Sequence, residues 1–149
     1  MKIQNNNKGF NLAEIMISTL VLALTFTGVV STYLKCLNLS EMSQNSSRAT
    51  LEARKRMENA KNSDVTQLIT NYHNVSFSSL NVNGMGVSYV NDTDPNLLEV
   101  TISFCWQQNN GRIIGEDANL NGVLDDGEDV NGNGFIDSPV QITSYIYVG

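Results

Sequence analysis

Residues 10–34 read FNLAEIMISTLVLALTFTGVVSTYL, a run of 25 residues that carries a single charge, Glu14. As a helix at ~1.5 Å per residue the run would reach ~37 Å, enough to cross the ~30 Å hydrocarbon core of a membrane with some tilt. Nine mostly polar residues that include Lys2 and Lys8 precede it. Ionisable groups inside an apolar segment are costly and usually mark a function. The run therefore predicts a membrane helix in which Glu14 has a functional role.

A glycine, an aromatic residue and this acid open the apolar run in a fixed register, as Gly9, Phe10 and Glu14. The arrangement resembles the leader and N-terminal helix of type IV pilins and pseudopilins. The resemblance implies that a prepilin peptidase cleaves after Gly9 and methylates the new N-terminus at Phe10. It also implies that Glu14 pairs with the Phe10 ammonium of a neighbouring pilin subunit during assembly, because an unpaired charge in hydrocarbon is costly. Asn11 and Ala13 depart from the residues common in the family, and this helix lacks the proline of many major pilins.

Two other kinds of N-terminal segment begin in a similar way. A secretory signal peptide has an apolar region about half as long and ends in an A-x-A-like site, which is missing here. An uncleaved anchor is compatible, because Lys2 and Lys8 before the helix and Lys35 after it would hold the N-terminus in the cytoplasm. The alternative function is therefore a singly anchored, calcium-binding surface protein that does not assemble. Glu14 favours the filament subunit, because a simple anchor gains nothing from it.

The chain is small and acidic. It has 149 residues with 9 Lys+Arg against 15 Asp+Glu, a formal net charge of −6 and a pI near 4.6. Loss of Lys2 and Lys8 with the leader would leave 7 basic groups (9 − 2) against 15 acidic groups, a net charge of −8. Such a surface repels nucleic acid, so nucleic-acid binding is not expected.

Four segments are predicted. Residues 1–9 are a basic leader, 10–34 a membrane and filament-core helix, 35–61 its amphipathic continuation, and 62–149 a globular head that includes an acidic loop at 116–137. The pilin resemblance implies that the protein lies in the inner (cytoplasmic) membrane with its N-terminus in the cytoplasm and its head outside. After assembly it would belong to a pilus or pseudopilus.

The helix is expected to continue to residue 61, because residues 39–61 contain no proline or glycine and small or apolar side chains recur at helical spacing. One helix from about residue 11 to 61 would be ~75 Å long. Glu52 and Arg56 are spaced to pair on its exposed face, and Ser63 is the predicted N-cap of a short second helix. The predicted stripe consists of Leu39, Met42, Ala49, Ala53, Met57 and Ala60.

From Tyr72 onward the pattern changes to strands and turns. Residues 98–106 alternate with period two, which places five large apolar side chains on one face of a strand. They are Leu98, Val100, Ile102, Phe104 and Trp106, and the opposite face carries Glu99, Thr101, Ser103 and Cys105. Asn110-Gly111 predicts a hairpin, and residues 140–148 predict the final strand.

These elements predict an α+β fold. The long N-terminal helix is expected to pack on a three- to four-stranded antiparallel sheet, with a calcium-binding loop between the last two strands. The strand that ends in Trp106 resembles that of minor pilins and pseudopilins of the modification-protein type.

The acidic loop at residues 116–137 holds seven of the 15 carboxylates and no Lys or Arg, so it would repel itself without a cation. Its oxygens recur at the spacing of a calcium loop. The first predicted ligand set is Asp117, Asn119, Asn121, the carbonyl of Val123, Asp125 and Glu128, and the second is Asp129, Asn131, Asn133, the carbonyl of Phe135 and Asp137. Val140 stands where the acid at the twelfth position of the second loop belongs. That loop is incomplete unless Glu128 or another acid is shared.

The tandem loops resemble thrombospondin type 3 and dockerin repeats more than paired EF-hands, because no long helices flank them. Hard oxygen ligands suit Ca²⁺, whereas Mg²⁺ demands a stricter octahedron. One bound Ca²⁺ is expected and a second is compatible with the pattern. The alternative is an acidic loop without a specific ligand, since Asp and Asn before Gly are ordinary turn residues. Two copies at a 12-residue period favour the metal.

The two cysteines leave two interpretations open. A disulfide between Cys36 and Cys105 would close a loop of about 70 residues and contribute roughly 4 kcal/mol in the chain-entropy model. The other interpretation is two separate thiols.

The sequence does not predict an enzyme. His73 is the only histidine, and no acid or nucleophile lies around it at helical or strand spacing. No phosphate-binding loop, nucleophile elbow or zinc-ligand spacing is present either. Whether the predicted filament serves motility, adhesion, DNA uptake or secretion is left open by the sequence.

Overall fold

The computed structural model describes residues 11–148, so the predicted processing positions Gly9 and Phe10 lie outside the described residues. The described chain forms two helices and five strands. Their order is α1 (Leu12–Lys61), α2 (Val65–Tyr72), β1 (Val75–Ser78), β2 (Gly84–Asp94), β3 (Leu97–Gln107), β4 (Ile113–Ile114) and β5 (Gln141–Tyr147). The prediction of an α+β fold that begins with one long helix is confirmed. The chain divides into two compact units, with the boundary between Ser40 and Glu41.

The part of α1 that belongs to the first unit is exposed and apolar. Its most apolar window has a mean hydropathy of 1.9, and α1 is the one helix among residues 11–148 that is long and apolar enough to span a membrane. Hydroxyl groups in this part bond within the helix, as where Ser18 Oγ donates to the Glu14 carbonyl at 2.7 Å and Thr32 Oγ1 donates to the Gly28 carbonyl at 2.9 Å. Such internal bonds make a polar side chain compatible with hydrocarbon.

In the second unit, α1 packs its small side chains against the sheet. The buried residues of the helix are Ala49, Ala53, Met57 and Ala60. They share one core with the five apolar residues that the strand pattern places on a single face of β3, Leu98, Val100, Ile102, Phe104 and Trp106. The predicted face of β3 is therefore confirmed. The predicted helix stripe is correct only from Ala49 onward, because Leu39 is 65% exposed and Met42 is 39% exposed.

The sheet is antiparallel and β3 is its central strand. β2 pairs along one edge of β3, and β1 pairs with the far side of β2. Along the other edge β5 pairs with residues 97–103 of β3, while β4 pairs only with Trp106 and Gln107. Residues between β4 and β5 therefore leave and rejoin the sheet at neighbouring positions on one edge, which agrees with the predicted place of the acidic loop.

The sheet has five strands, one more than the upper end of the predicted three or four, and the two shortest are β1 and β4. β4 has only two residues, which is too short to show a period-two pattern, and β1 has four. The predicted hairpin before β4 is present. Gln108 N donates to the Arg112 carbonyl at 2.9 Å, and Gly111 takes a φ of 83°, which favours glycine.

Two local predictions are also corrected. Asp64, and not Ser63, is the N-cap of α2, since Asp64 Oδ1 accepts from Thr66 N at 3.3 Å. Ser63 Oγ instead donates to the Asn59 carbonyl at 2.7 Å, within the last turn of α1.

Glu52 and Arg56 do not pair. Glu52 accepts from Lys55 Nζ at 3.0 Å. The Arg56 guanidinium lies 4.2 Å from the centroid of the Tyr72 ring, a cation–π contact with α2 that helical spacing alone does not reveal.

Candidate metal centre

The acidic loop covers the sheet face opposite α1. Leu120, Leu124 and Ile136 of the loop pack with Val87, Tyr89 and Cys105 in a second core that is separate from the one under the helix. Because neighbouring side chains of β3 point to opposite faces, Cys105 lies under the loop while Phe104 and Trp106 lie under α1. Glu116 N donates to the Asp137 carbonyl at 2.9 Å and Ile136 N donates to the Tyr89 hydroxyl at 2.9 Å. The loop is thus held at both ends.

In the first predicted calcium loop, the side chains bond to backbone N–H groups of the loop and to one another. Asp117 is fully buried and accepts from Asn121 N at 3.0 Å and from Gly122 N at 2.8 Å. Asn119 Oδ1 also accepts from Asn121 N at 3.0 Å. The side-chain amides of Asn119 and Asn121 donate to one oxygen, Asp125 Oδ2, at 2.7 and 2.8 Å. These bonds connect four of the predicted ligands with one another.

Glu128 closes this first loop. Its Oε1 accepts from Ala118 N at 2.8 Å, and its Oε2 accepts from Asp125 N at 3.0 Å. The side chain is only 8% exposed. The carboxylate thus lies across the loop from Asp117, where the predicted acid at the twelfth position belongs.

The second loop repeats this geometry twelve residues later. Asp129 accepts from Asn133 N at 3.1 Å and from Gly134 N at 2.9 Å. The side-chain amides of Asn131 and Asn133 donate to Asp137 Oδ2 at 2.6 and 2.8 Å. These bonds match those of the first loop, residue for residue.

Glu116 takes the position in the second loop that Glu128 takes in the first. Its Oε1 accepts from Val130 N at 3.3 Å, and its Oε2 accepts from Asp137 N at 3.0 Å. Val130 and Asp137 lie twelve residues after Ala118 and Asp125, the partners of Glu128. Val140 does not belong to the loop, because it is 5% exposed in the core under α1. The closing acid of the second loop therefore precedes both loops in sequence.

The sequence contains a signal that the two loops exchange their glutamates. Gly115-Glu116-Asp117 and Gly127-Glu128-Asp129 open the two repeats, so that each glutamate stands before its own loop and closes the other. The backbone repeats as well. Leu120 and Gly132 have φ values of 56° and 72° at equivalent positions, and Gly122 and Gly134 have values of 74° and 79°.

The electrostatics of the loop favour a cation. Burial raises the pKa of Asp117, although N–H groups of Gly122 and Asn121 oppose the shift. No Lys or Arg lies within the loop, and the one ion pair found in the described part of the chain joins Lys55 to Glu52. Among residues 11–148, no group of three or more His, Cys, Asp or Glu side chains is already gathered as a metal site. The carboxylates of the predicted ligands and of Glu116 instead accept hydrogen bonds from N–H donors. A ligand set made only of oxygens is the kind that suits a hard cation such as Ca²⁺.

Both cysteines are free thiols in the structure, as in the second of the two interpretations that the sequence leaves open. Cys36 is exposed, whereas Cys105 is fully buried under the acidic loop with its Sγ 3.7 Å from the Asp137 carbonyl oxygen. Burial raises the pKa of the Cys105 thiol to about 11. A thiol enclosed in this way contributes to the packing of the core under the acidic loop.

Glu14 lies in the first turn of α1, and its side chain is exposed. Its backbone N–H donates to the Asn11 carbonyl at 2.9 Å. Within residues 11–148 its carboxylate takes part in no ion pair. The structure thus places an acid at the start of the apolar part of the helix.

Comparisons with protein-family models, with curated proteins and with solved structures each found no match to this chain.

Proposed function

We propose that this chain is a minor pilin or pseudopilin, a structural subunit of a type IV pilus or a type II secretion-like filament. The observation that carries the proposal is Glu14, an acid in the first turn of a long apolar helix and five residues after Gly9. The helix continues without a break into a head in which small side chains pack on an antiparallel sheet. In this function residues 10–34 form the filament core with other pilin subunits, after a prepilin peptidase of the inner membrane has removed residues 1–9.

Processing provides the direct test. In cells with an active prepilin peptidase, the membrane-extracted protein is expected to begin at an N-methylated Phe10, because the basic leader and the Gly9-Phe10 junction fit that enzyme. Intact-mass and N-terminal peptide spectrometry measure this. A Gly9→Val variant should keep its leader. Wild-type protein that retains Met1 in the same cells would instead favour the singly anchored surface protein.

We further propose that the acidic loop binds two Ca²⁺ ions. Asp117, Asn119, Asn121, the Val123 carbonyl, Asp125 and Glu128 would hold the first ion, and Asp129, Asn131, Asn133, the Phe135 carbonyl, Asp137 and Glu116 would hold the second. The support is the repeated hydrogen-bond pattern, the buried carboxylate of Asp117 and the absence of Lys and Arg from residues 116–137. Bound calcium would supply the positive charge that offsets the repulsion among these carboxylates.

Substitution of Glu116 tests whether this residue is needed to bind the second Ca²⁺. The full-length protein in detergent is expected to take up two Ca²⁺, and Glu116→Gln is expected to take up one, because the second loop loses its closing carboxylate. Isothermal titration calorimetry measures the stoichiometry. Glu58→Gln, at an exposed position on α1, is the matched control and should still bind two. If Glu116→Gln took up two ions with unchanged affinity, Glu116 would not be a ligand of the second ion.

A further inference from the structure

The sheet of the second unit ends in β1 on one side and in β5, beside the short β4, on the other. β1 pairs only with β2, and β5 pairs only with β3, so one side of each strand has no neighbouring strand. Among residues 11–148, no backbone hydrogen bond joins β1 or β5 to any element besides these partners. The N–H and C=O groups that point away from such an edge form a template for another strand. The sheet can therefore be extended on both sides.

Neither edge carries the usual protection against pairing. Edge strands of soluble proteins are commonly interrupted by a charged side chain or a proline. β5 reads QITSYIY and β1 reads VSFS, so both strands lack charge and proline. The Ile, Thr and Tyr residues of β5 also favour strand pairing. In a chain whose formal net charge is −6, these uncharged edges are places where another copy can approach closely.

The two edges are antiparallel to each other. Because β2 is antiparallel to both β1 and β3, β1 runs parallel to β3. β5 is antiparallel to β3 and therefore also to β1. A second copy in the same orientation, displaced across the strands, would thus place its β1 antiparallel beside β5 of the first copy. With strands about 4.8 Å apart, copies joined in this way would repeat roughly every 19 Å, the width of four strands.

A contact of β5 with β5 is the alternative, and the packing of α1 disfavours it. Two copies of one strand that pair antiparallel are related by a two-fold axis perpendicular to the sheet. Because the buried stripe of α1 packs along the sheet, this axis would make the two helices run in opposite directions. Addition of β1 to β5 keeps every copy of α1 parallel, as is required of helices that begin in one membrane. The packing of the helix therefore favours a heterologous contact.

The outer face of the sheet carries carboxylates near both edges. The first calcium loop lies over β1, since a Cβ at Gly122 would meet the Ser76 side chain. Near β5, the Glu99 carboxylate accepts from the Tyr145 hydroxyl at 3.2 Å. Pairing of the two edges would bring these acidic groups of neighbouring copies together. Salt, or calcium bound as proposed above, is therefore expected to strengthen the contact, because it lowers the repulsion.

We propose that β1 of one copy adds to β5 of a second copy, so that the antiparallel sheet continues from one head to the next. Because the two edges differ, the contact is heterologous and can repeat along a row of copies. β1 has only four residues, and a hydrogen bond contributes about 1 kcal/mol, so the contact is weak and assists the packing of the helices. It rests on the filament proposal for its setting. It is nonetheless measurable on unprocessed, unassembled protein, so each proposal can fail without the other.

Disulfide trapping between copies tests the contact. Full-length Cys36→Ser protein in nonionic detergent provides the background, since Cys105 is buried. One sample carries Ser76→Cys in β1, and each of the others carries a cysteine at one exposed position of β5, which are Gln141, Thr143, Tyr145 and Tyr147. Opposite residues of an antiparallel pair have Cα atoms about 4.5–5.5 Å apart, within the reach of a disulfide. The β1 sample is mixed with each β5 sample and oxidised at about 500 mM salt, where the screening length is about 4 Å and the acidic faces repel little.

At least one exposed position of β5 is expected to link to Ser76→Cys about tenfold or more strongly than Ser144→Cys does, because neighbouring side chains of a strand point to opposite faces. Ser144→Cys is the matched control on the other face of β5. A chain that carries both Ser76→Cys and the best-linking β5 cysteine should form a ladder of oligomers, since each copy then offers both edges. Emission of the buried Trp106 verifies that each variant is folded, and the remaining exposed positions serve where one variant is not.

Three results would overturn the proposal. The first is linking of Ser144→Cys at the level of the exposed positions, which indicates random collision. The second is linking of β5 to β5 with none to Ser76→Cys, which indicates the two-fold contact. The third is the absence of any link in folded protein at high salt. Absent linking together with normal processing at Phe10 would reject this contact and keep the filament subunit, whereas linking of a protein that retains Met1 in cells would reject the filament alone.

Discussion

Millimolar Ca²⁺ is expected to raise the melting temperature of the full-length protein in detergent substantially above its value in chelator. Calcium that binds only the folded loop raises the free energy of unfolding by RT ln(1 + [Ca²⁺]/Kd), which is about 2.7 kcal/mol at 100-fold excess over Kd. For a domain of this size, that corresponds to a shift of roughly 10–20 °C for one ion. Fluorescence of Trp106 measures the transition, because it is the only tryptophan and is 1% exposed in the core. Mg²⁺ should be much less effective.

Two substitutions measure how much each loop contributes to the calcium-dependent rise in melting temperature. Asp117→Asn is expected to remove more of it than Asp129→Asn, because Asp117 is fully buried whereas Asp129 is half-buried. The first loop is also packed more tightly, since a Cβ at Gly122 would meet the Ser76 side chain while a Cβ at Gly134 would meet nothing. Asp126→Asn is the control, because Asp126 is exposed and lies outside both ligand sets.

Two results would contradict the calcium proposal. One is equal melting in calcium and in chelator, together with no heat of binding, which would reduce residues 116–137 to an acidic turn. The other is an Asp126→Asn variant that loses as much of the shift as Asp117→Asn, which would mean that general charge screening, and not a site, stabilises the loop.

The main elements of the fold follow from local patterns in the sequence. Alternation over residues 98–106 predicts which side chains of β3 face the core, because one face of the sheet is buried under a helix. Ala49, Ala53, Met57 and Ala60 similarly identify the helix face that meets the sheet. Leu39 and Met42 continue the same spacing but are exposed. Periodicity identifies a face, and the length of the partner surface decides how much of that face is covered.

Spacing in the acidic loop reveals the repeat among residues that are near in sequence, but it does not reveal a contact made by a residue that is distant. A search that reads forward from Asp129 finds Val140 at the twelfth position and leaves open which other acid, if any, completes the second loop. Glu116 reaches that loop only because Glu116 N bonds to the Asp137 carbonyl, which brings the two ends of the segment together. The burial of Cys105 escapes prediction for a related reason. Spacing along the chain carries no information that Cys105 is enclosed between the sheet and the loop.

Removal of the charge on Glu14 is expected to reduce the incorporation of this protein into filaments by about tenfold or more, the change produced by the loss of ~1.4 kcal/mol or more at the subunit contact. Glu14→Gln keeps the size of the side chain, and Ser18 still bonds to the backbone carbonyl of residue 14. Insertion into the membrane should be unchanged or improved, because a charge leaves the apolar segment. Immunoblots of sheared filaments and of the membrane fraction, from cells that assemble the filament, measure the two quantities separately.

This opposite effect on insertion and assembly is what distinguishes a filament subunit from an anchor. An anchor that loses this acid inserts at least as well and loses nothing else. A filament subunit leaves the Phe10 ammonium of its neighbour without a partner in hydrocarbon, and the cost appears only on assembly. Glu41→Gln is the matched control, since it makes the same change outside the apolar segment, where the carboxylate accepts from Asn109 N at 2.7 Å. Equal recovery of Glu14→Gln and wild-type protein in sheared filaments would leave the acid without a role in assembly.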